Sequence, residues 1–450
     1  MTANPAQQNS AVLAPALWQQ LQACALALRA VRQGRNHTQA LALVEPRLRA
    51  AAQALLFAVL RQWGRTLAIQ SLLVARAPKP AVDDLLCVGL GLALQQDAMY
   101  PMHTLVNQLV EAAKRSPACK AQAAFINACI RRFDRERHAF ITATDDQASA
   151  RWNHPEWWVK ALQKDHPQEW QAVLHASQKA APMAVRVNQR QLTREQLQIA
   201  WQQHGVATDA CAEYGLVLRR ASHVQSLEGF DKGWFSVQDA GAQLAAPLLL
   251  NGLKPSAYGR WRVLDACAAP GGKTAHLLEL AEIDLLAIDV DESRCQRVRD
   301  NLQRLQLQAT VICADAAQVE TWWDKQGFDA ILLDAPCTAS GIVRRHPDIP
   351  WLRRESDVAG LAAQQKKLLQ ALWPLLVAGG RLLYCTCSLF KMEGEDQIQS
   401  FLANNSDARL LASPGQLLPG MTANGASVSD NLSGAHDGFF YALLEKQKDV

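Results

Sequence analysis

No stretch of this 450-residue chain approaches the ~18 uninterrupted apolar residues of a membrane helix. No membrane association is therefore expected. Residues 1–10, MTANPAQQNS, lack the basic start and apolar run of a secretory signal, so a cytoplasmic location is expected. The 11 cysteines are an odd count and frame no small loops; they read as reduced thiols. Two phosphate-binding patterns are missing as well. A P-loop needs Gly five residues ahead of Gly272-Lys273-Thr274, where Cys267 stands, and GLGLAL at 89–94 fails the dinucleotide pattern at Leu94. Neither sign of charge dominates, with 46 Lys/Arg against 42 Asp/Glu.

What is present is ordinary globular composition, 49% hydrophobic and 20% charged, in a chain long enough for two or three domains. Residues 263–274, VLDACAAPGGKT, read as a strand, a Gly-containing turn and a helix start, the opening unit of an α/β nucleotide-type fold. Glycine lets the backbone approach a ligand there, and the helix N-terminus offers unpaired N–H donors. Without a strict phosphate cradle, a nucleoside bearing a carboxylate, such as S-adenosylmethionine, fits better than a triphosphate. An ordinary βα turn is the competing reading of this stretch alone.

Charge is unevenly distributed. Residues 1–150 hold 16 Lys/Arg and 9 Asp/Glu, leaving 30 against 33 for the rest. A basic first module suggests a polyanionic partner, although a solvated basic face would look the same. Ala, Leu and Gln dominate residues 11–140, and helices are expected at 11–33, 45–62, 81–96, 103–115 and 119–139. The last, FINACIRRFDRER, sets Phe125, Cys129 and Phe133 on an apolar stripe beside Arg131, Arg132, Arg135 and Arg137, whose forks suit phosphate oxygens. FINACIRRF resembles the final helix of the RNA-binding fold of the NusB antitermination factor. The polar stretch 142–149 marks a boundary, and Trp152, Trp157 and Trp158 beyond it read as packing residues.

Residues 183–250 read as a small mixed unit, either a linker or an RNA-contacting platform. Its expected parts are a strand at 184–188, a helix capped by Thr193 and Gln196 and ended by Gly205, a strand at 216–220 and a helix across 240–250. Strands then alternate with helices: 261–265, 285–289, 309–315, 328–334 and 381–387, with helices at 294–305 and 357–377. Residues 403–436 show no clear pattern, and 438–446 is an expected antiparallel strand. Such alternation argues a doubly wound sheet with ligands at the carboxyl ends of its strands.

Asp265, Asp289, Asp315 and Asp334 each stand at or beside the end of one of the first four strands. One such Asp is a loop cap; four suggest an extended nucleoside, with Asp289 placed for ribose hydroxyls, Asp315 near the base and Asp334 at the reacting end. Cys337 follows the fourth strand in DAPC and Cys387 closes the fifth in TCS. If these two strands are neighbours, their ends lie ~5 Å apart and both thiols can reach one substrate atom. Methylation of an amine needs no thiol, whereas a pyrimidine C5 becomes nucleophilic only after a thiolate adds to C6. Cys385 reads as a buried small hydrophobe. A zinc site from Cys337, Cys385 and Cys387 lacks ligand spacing and a fourth ligand, so no metal is expected.

DACAAPGGKT, AIDVD, LLDAPCTASGIVRRHPDI, YCTCSLF and HDGFF together resemble the Sun-type RNA cytosine-5 methyltransferases, as do HPEWW (154–158) and FSVQDAGAQLAA (235–246). The resemblance implies an all-α NusB-like domain (11–145), a small α+β domain (151–250) and a Rossmann-like methyltransferase domain (251–450). It implies S-adenosylmethionine bound by Cys267, Ala268, Ala269, Pro270, Gly271, Gly272 and Lys273 with Asp289, Asp315 and Asp334. Cys387 would form the covalent adduct to C6, Cys337 would assist release, and Asp334 would contact the cytosine. The implied reaction is methylation at C5 of a cytosine in 16S ribosomal RNA by a monomer. Another RNA, DNA, or a silent RNA-binding assembly role remain alternatives. Two departures from the family pattern are His346, usually Asn, and Gly394, where EGE replaces ENE.

Overall fold

The computed structural model describes residues 15–253, 259–421 and 436–447. The first residues of the helix expected at 11–33, and residues 422–435, lie outside that range. Two compact units result: Met1–Glu156 with His346–Leu352, and Trp157–Arg345 with Arg353–Val450.

The first unit is helical. Helices Leu17–Arg32, Arg49–Leu60, Pro80–Ala93, Met102–Arg115 and Ala123–Arg135 correspond to those expected, with shifted ends. The expected 119–139 helix breaks at Glu136 and resumes as Arg137–Thr142. Trp63–Leu73 is an additional helix. It follows its predecessor after two residues and has no capping side chain, so no local signal announced it. Pro80 starts the central helix at a position where its missing N–H costs nothing. The glycines of GLGLAL serve helix packing: a Cβ on Gly89 would stand 2.6 Å from Leu109. Asp84 of that helix is buried against Arg29 and Arg32, at 2.6 Å from each.

Residues His346–Leu352 complete this unit although their chain neighbours belong to the other. The His37 N–H donates to Asp348 Oδ2 at 2.9 Å, and the His37 ring lies 3.1 Å from the same carboxylate. Burial acts to raise the Asp348 carboxyl, but the His37 contacts hold it below the ordinary range. Trp351 and Leu352 pack on the helical core, and the His346 ring stands 5.0 Å from that of His37.

The second unit holds two sheets. The smaller consists of β1 (Met183–Val187), β2 (Thr208–Cys211), β3 (Gly215–Leu218) and β4 (Phe235–Val237), antiparallel in the order β2-β3-β1-β4. Helix Arg194–Gln203 covers it, with the Thr193–Gln196 capping box in place, and Trp201 and Phe235 meet edge to face at 4.9 Å. Strand β2, TDAC, was not expected; its two central residues are exposed and it carries no apolar alternation. The helix expected across 240–250 begins as a 3₁₀ turn and is α-helical only over Ala245–Leu250.

The larger sheet contains β5 (Trp261–Asp265), β6 (Ile283–Asp289), β7 (Thr310–Cys313), β8 (Phe328–Asp334), β9 (Leu376–Thr386), β10 (Ala408–Leu417) and β11 (Phe439–Lys446). Their order is β10-β11-β9-β8-β5-β6-β7. The five strands from β9 to β7 are parallel, and β11 and β10 are antiparallel additions. Residues such as Ala330–Leu333 are buried without alternation, as a parallel strand covered on both faces requires. Strand β10 falls in the segment that showed no pattern. It contains Pro414, Gly415 at φ +67°, and a register shift between Leu411 and Gly415, features tolerated at a sheet edge.

Candidate active site

Sheet order places the carboxyl ends of β7, β6, β5, β8 and β9 side by side. Asp289, Asp265 and Asp334 end their strands, Asp315 lies two residues beyond β7, and Cys387 follows β9 directly. Four acidic groups and a thiol therefore share one edge, near the point where the strand order reverses between β5 and β8.

The loop after β5 is built around Gly271. Its φ of +93° caps the helix Gly272–Leu280 in a left-handed conformation, and a Cβ there would stand 3.2 Å from Val298. Glycine meets both demands. Asp289 is 4% exposed and accepts from the Ala269 N–H at 3.1 Å, with Arg294 at 3.3 Å. Arg294 also donates to the Ala269 carbonyl at 3.3 Å. Asp289 thus holds the loop in shape, a task beyond the expected one. Arg294 was missed, and its only signal was its place in the first turn of the helix after AIDVD. Asp315 accepts from the Ala317 N–H at 2.9 Å and from Gln318 at 3.3 Å, the pattern of a loop cap.

Asp265 is fully buried. Thr274 Oγ1 donates to its Oδ2 at 2.7 Å, and Oδ1 has no hydrogen-bond partner among the described residues. Burial pushes this carboxyl up to about 7, against the Thr274 hydrogen bond. An orphaned buried oxygen beside a glycine-shaped loop fits an incoming ligand with donors or positive charge. Lys273 Nζ lies 2.6 Å from Asp334 Oδ2, and the ammonium also stands 5.8 Å from the Phe439 ring. Burial acts against the charged lysine, yet Asp334 raises its pKa well above the ordinary value. Cys385 is buried, as expected of a small hydrophobe. Its Sγ reaches Asp334 Oδ1 at 3.4 Å, which places it on the floor of the site.

The Sγ atoms of Cys337 and Cys387 are 3.4 Å apart and partly exposed. This follows from register, because Asp334 pairs with Cys385 on the adjacent parallel strands and each thiol lies two or three residues beyond. The hydrogen bond shared with Cys387, together with burial, raises the Cys337 thiol well above its ordinary value. Arg353 donates to the carbonyls of Cys337 at 3.3 Å and Thr338 at 3.0 Å; nothing in the sequence pattern pointed to it. The Gly341 N–H donates to the Cys387 carbonyl at 2.8 Å. A Cβ at Gly394 would meet the Phe440 ring at 2.9 Å, so glycine suits the departure from ENE.

Away from this edge, the Arg-rich helix buries Ile126, Cys129, Ile130 and Phe133 and exposes Arg131, Arg132 and Arg135. Arg132 pairs with Glu136 at 3.1 Å. Trp152 and Trp158 are buried, each within its own unit, in keeping with packing.

A family model described as 16S rRNA methyltransferase RsmB/F matches residues 252–445, and one described as the RsmF/B-like ferredoxin-like domain matches 154–225. Ribosomal RNA small subunit methyltransferase B of Vibrio cholerae is 42% identical over 418 residues, covering 90% of this chain and 91% of the relative. Its counterpart from Pseudomonas syringae pv. tomato is 40% identical over 415 residues, covering 90% of each. Among solved structures, a methyltransferase homolog protein from Pyrococcus horikoshii aligns with TM-score 0.55 and 28% identity, over 66% of this chain and 97% of that one. PH0851 shares the fold at TM-score 0.72 and 23% identity, over 95% of this chain and 99% of that one. Relatives of this identity and coverage decide the matter: the chain belongs to the RsmB/F family of 16S ribosomal RNA methyltransferases.

Proposed function

We propose that this protein transfers a methyl group from S-adenosylmethionine to C5 of a cytosine in 16S ribosomal RNA through a covalent Cys387–C6 adduct. The observation that carries the reading is the 3.4 Å separation of two thiols at the ends of adjacent strands, beside Lys273 and Asp334. S-adenosylmethionine supplies an electrophilic methyl group on a sulfonium when bound. Residues 267–273 with Asp289, Asp315 and Asp334 are the proposed binding set. The orphaned Asp265 oxygen, at the end of β5, adds a polar atom beside that set.

The Cys387 thiolate adds to C6, and the displaced electron pair makes C5 a carbon nucleophile able to take the methyl group. Asp334 contacts the cytosine, and the Lys273 ammonium, 2.6 Å from its Oδ2, offsets the negative charge that the ring gains as the thiolate adds. Loss of the C5 proton then lets the C5–C6 double bond reform as Cys387 leaves. Cys337, within 3.4 Å of the leaving sulfur, assists that expulsion. The target base must be unstacked to reach Cys387, so an RNA loop or distorted hairpin is the expected substrate. Residues 11–145, basic and NusB-like in their last helix, are proposed to bind RNA phosphates. Residues 151–250 link or extend that contact to the methyltransferase domain, 251–450, and the protein acts as a monomer.

Single substitutions test the assignment. Cys387→Ala is expected to abolish methyl transfer and adduct alike, whereas Cys337→Ala is expected to accumulate a covalent RNA–protein complex on a denaturing gel. An adduct persisting in Cys387→Ala and absent from Cys337→Ala would reverse the two roles. Bisulfite sequencing of small-subunit RNA from cells with and without the protein locates the base.

A further inference from the structure

We infer that Glu393 is a positioning residue for both thiols at once, one carboxylate fixing the loop that carries Cys337 against the loop that carries Cys387. The inference rests on the proposed division of labour between those cysteines. It takes up the glutamate that opens the EGE motif, which the reaction as described leaves unused.

Glu393 is completely buried. Its Oε1 accepts from the Thr338 N–H at 2.9 Å and from Gln365 Nε2 at 3.1 Å. Its Oε2 accepts from Thr338 Oγ1 at 2.5 Å and Ser388 Oγ at 2.6 Å. Thr338 and Ser388 are the residues immediately after the two cysteines. The carboxylate therefore grips the chain one residue past each sulfur, from within the protein.

The surrounding bonds extend the same brace. Gln365 Nε2 also donates to the Pro336 carbonyl at 2.9 Å, one residue before Cys337. The Leu389 N–H donates to Ser340 Oγ at 2.7 Å, tying the two loops a second time. The Tyr384 hydroxyl donates to the Glu393 carbonyl at 2.7 Å and stands 3.0 Å from Gln365 Oε1. Thr338, Ser340, Gln365, Tyr384 and Ser388 are all buried, so water cannot replace a lost partner.

The chemistry explains why a carboxylate stands here. Two hydroxyls, an amide and a backbone N–H converge as donors on one group, and only an ionised carboxyl offers acceptors on both oxygens. A glutamine keeps the shape but turns an NH₂ toward donors that already need acceptors. Losing the brace leaves buried donors unpaired and lets the thiols drift apart. A displacement of about 1 Å is enough to cost roughly 100-fold in a positioned reaction.

The test uses the full chain, naked 16S ribosomal RNA and methyl-labelled S-adenosylmethionine. For Glu393→Gln, kcat is expected to fall roughly 10- to 100-fold. The Kd for S-adenosylmethionine should stay within about twofold, because Glu393 touches no residue of the proposed binding set. Covalent RNA–protein complex should build up per turnover, since release needs both sulfurs in register. Glu393→Asp, which keeps two acceptors, should recover part of the lost rate. Thr338→Val combined with Ser388→Ala should reproduce the defect without touching Glu393, which keeps the test decisive if Glu393→Gln does not fold. A wild-type kcat in Glu393→Gln overturns the inference, as does a defect that follows the Kd for S-adenosylmethionine. Cys387→Ala run alongside separates the two levels: adduct persisting there defeats the proposed reaction. Its loss there with a wild-type Glu393→Gln defeats only the brace.

Discussion

Replacing Arg186 by Met is expected to cost the second unit about 3–5 kcal/mol, the usual result of removing one partner of a buried ion pair. Arg186 lies on β1 and is fully buried, and its guanidinium meets Glu279 in two bonds of 2.8 and 2.7 Å. Both side chains are essentially inaccessible, at 0% and 1%, so solvent screening gives no discount. The same guanidinium donates to Gln238 Oε1 and, at 2.8 Å, to the Gly272 carbonyl. Gly272 opens the helix whose N-terminus carries the loop of the candidate site. Met fills most of the volume but leaves the Glu279 carboxylate buried without its cation. Urea denaturation with midpoint and slope measured together reads the loss. Arg186→Met combined with Glu279→Leu removes both charges and is expected to return to within about 1–2 kcal/mol of the wild type. A single variant that loses less than about 1 kcal/mol, or a double variant as unstable as the single, refutes the reasoning.

Three further outcomes follow from the site and the helical unit. Gly271→Ala places a Cβ on a left-handed residue against Val298 and should cost about 1–2 kcal/mol. It should also weaken S-adenosylmethionine binding in equilibrium dialysis; unchanged affinity would mean the loop is not the binding loop. Asp265, held up to about 7 by burial, keeps a proton in the folded state that an unfolded Asp loses near pH 4. Stability should therefore fall as pH rises from about 4 to 7, and Asp265→Asn should flatten that fall. Asp437, also lifted to about 7, adds a slope of the same sign that the variant retains. Parallel curves for wild type and variant would contradict the assignment. Arg131→Ala with Arg135→Ala should reduce the salt dependence of RNA binding by up to about two counterions, and an unchanged slope would exclude phosphate contacts by this helix.

The candidate site was readable because its parts obey local rules. Strands β5, β6 and β8 are apolar runs that stop at an Asp, and parallel order alone then gathers Asp265, Asp289 and Asp334. Cys337 and Cys387 needed one further assumption, that β8 and β9 are neighbours, and the Asp334–Cys385 register meets it. What escaped depends on tertiary partners. Arg353 reaches the Cys337 carbonyl from the short link between two helices, 16 residues downstream, with no periodic signature. Asp289 carries the right charge for a ribose but spends part of it on the Ala269 N–H, which spacing cannot reveal. Helix Trp63–Leu73 starts without a cap, and β10 bends through Pro414 and Gly415, so propensity pointed away from both.

The seven residues His346–Leu352 bear on how the protein is made. The helical unit ends its continuous stretch at Glu156 but takes its last piece, with Asp348, Trp351 and Leu352, nearly 200 residues later. During translation the helices emerge long before that piece does. The His37 N–H waits for its acceptor, and the core for its Trp351 cover, until residue 352 has cleared the ribosome. By then β5 to β8 have already been synthesised. A cut at Glu156 would therefore release a helical fragment short of its own closing segment.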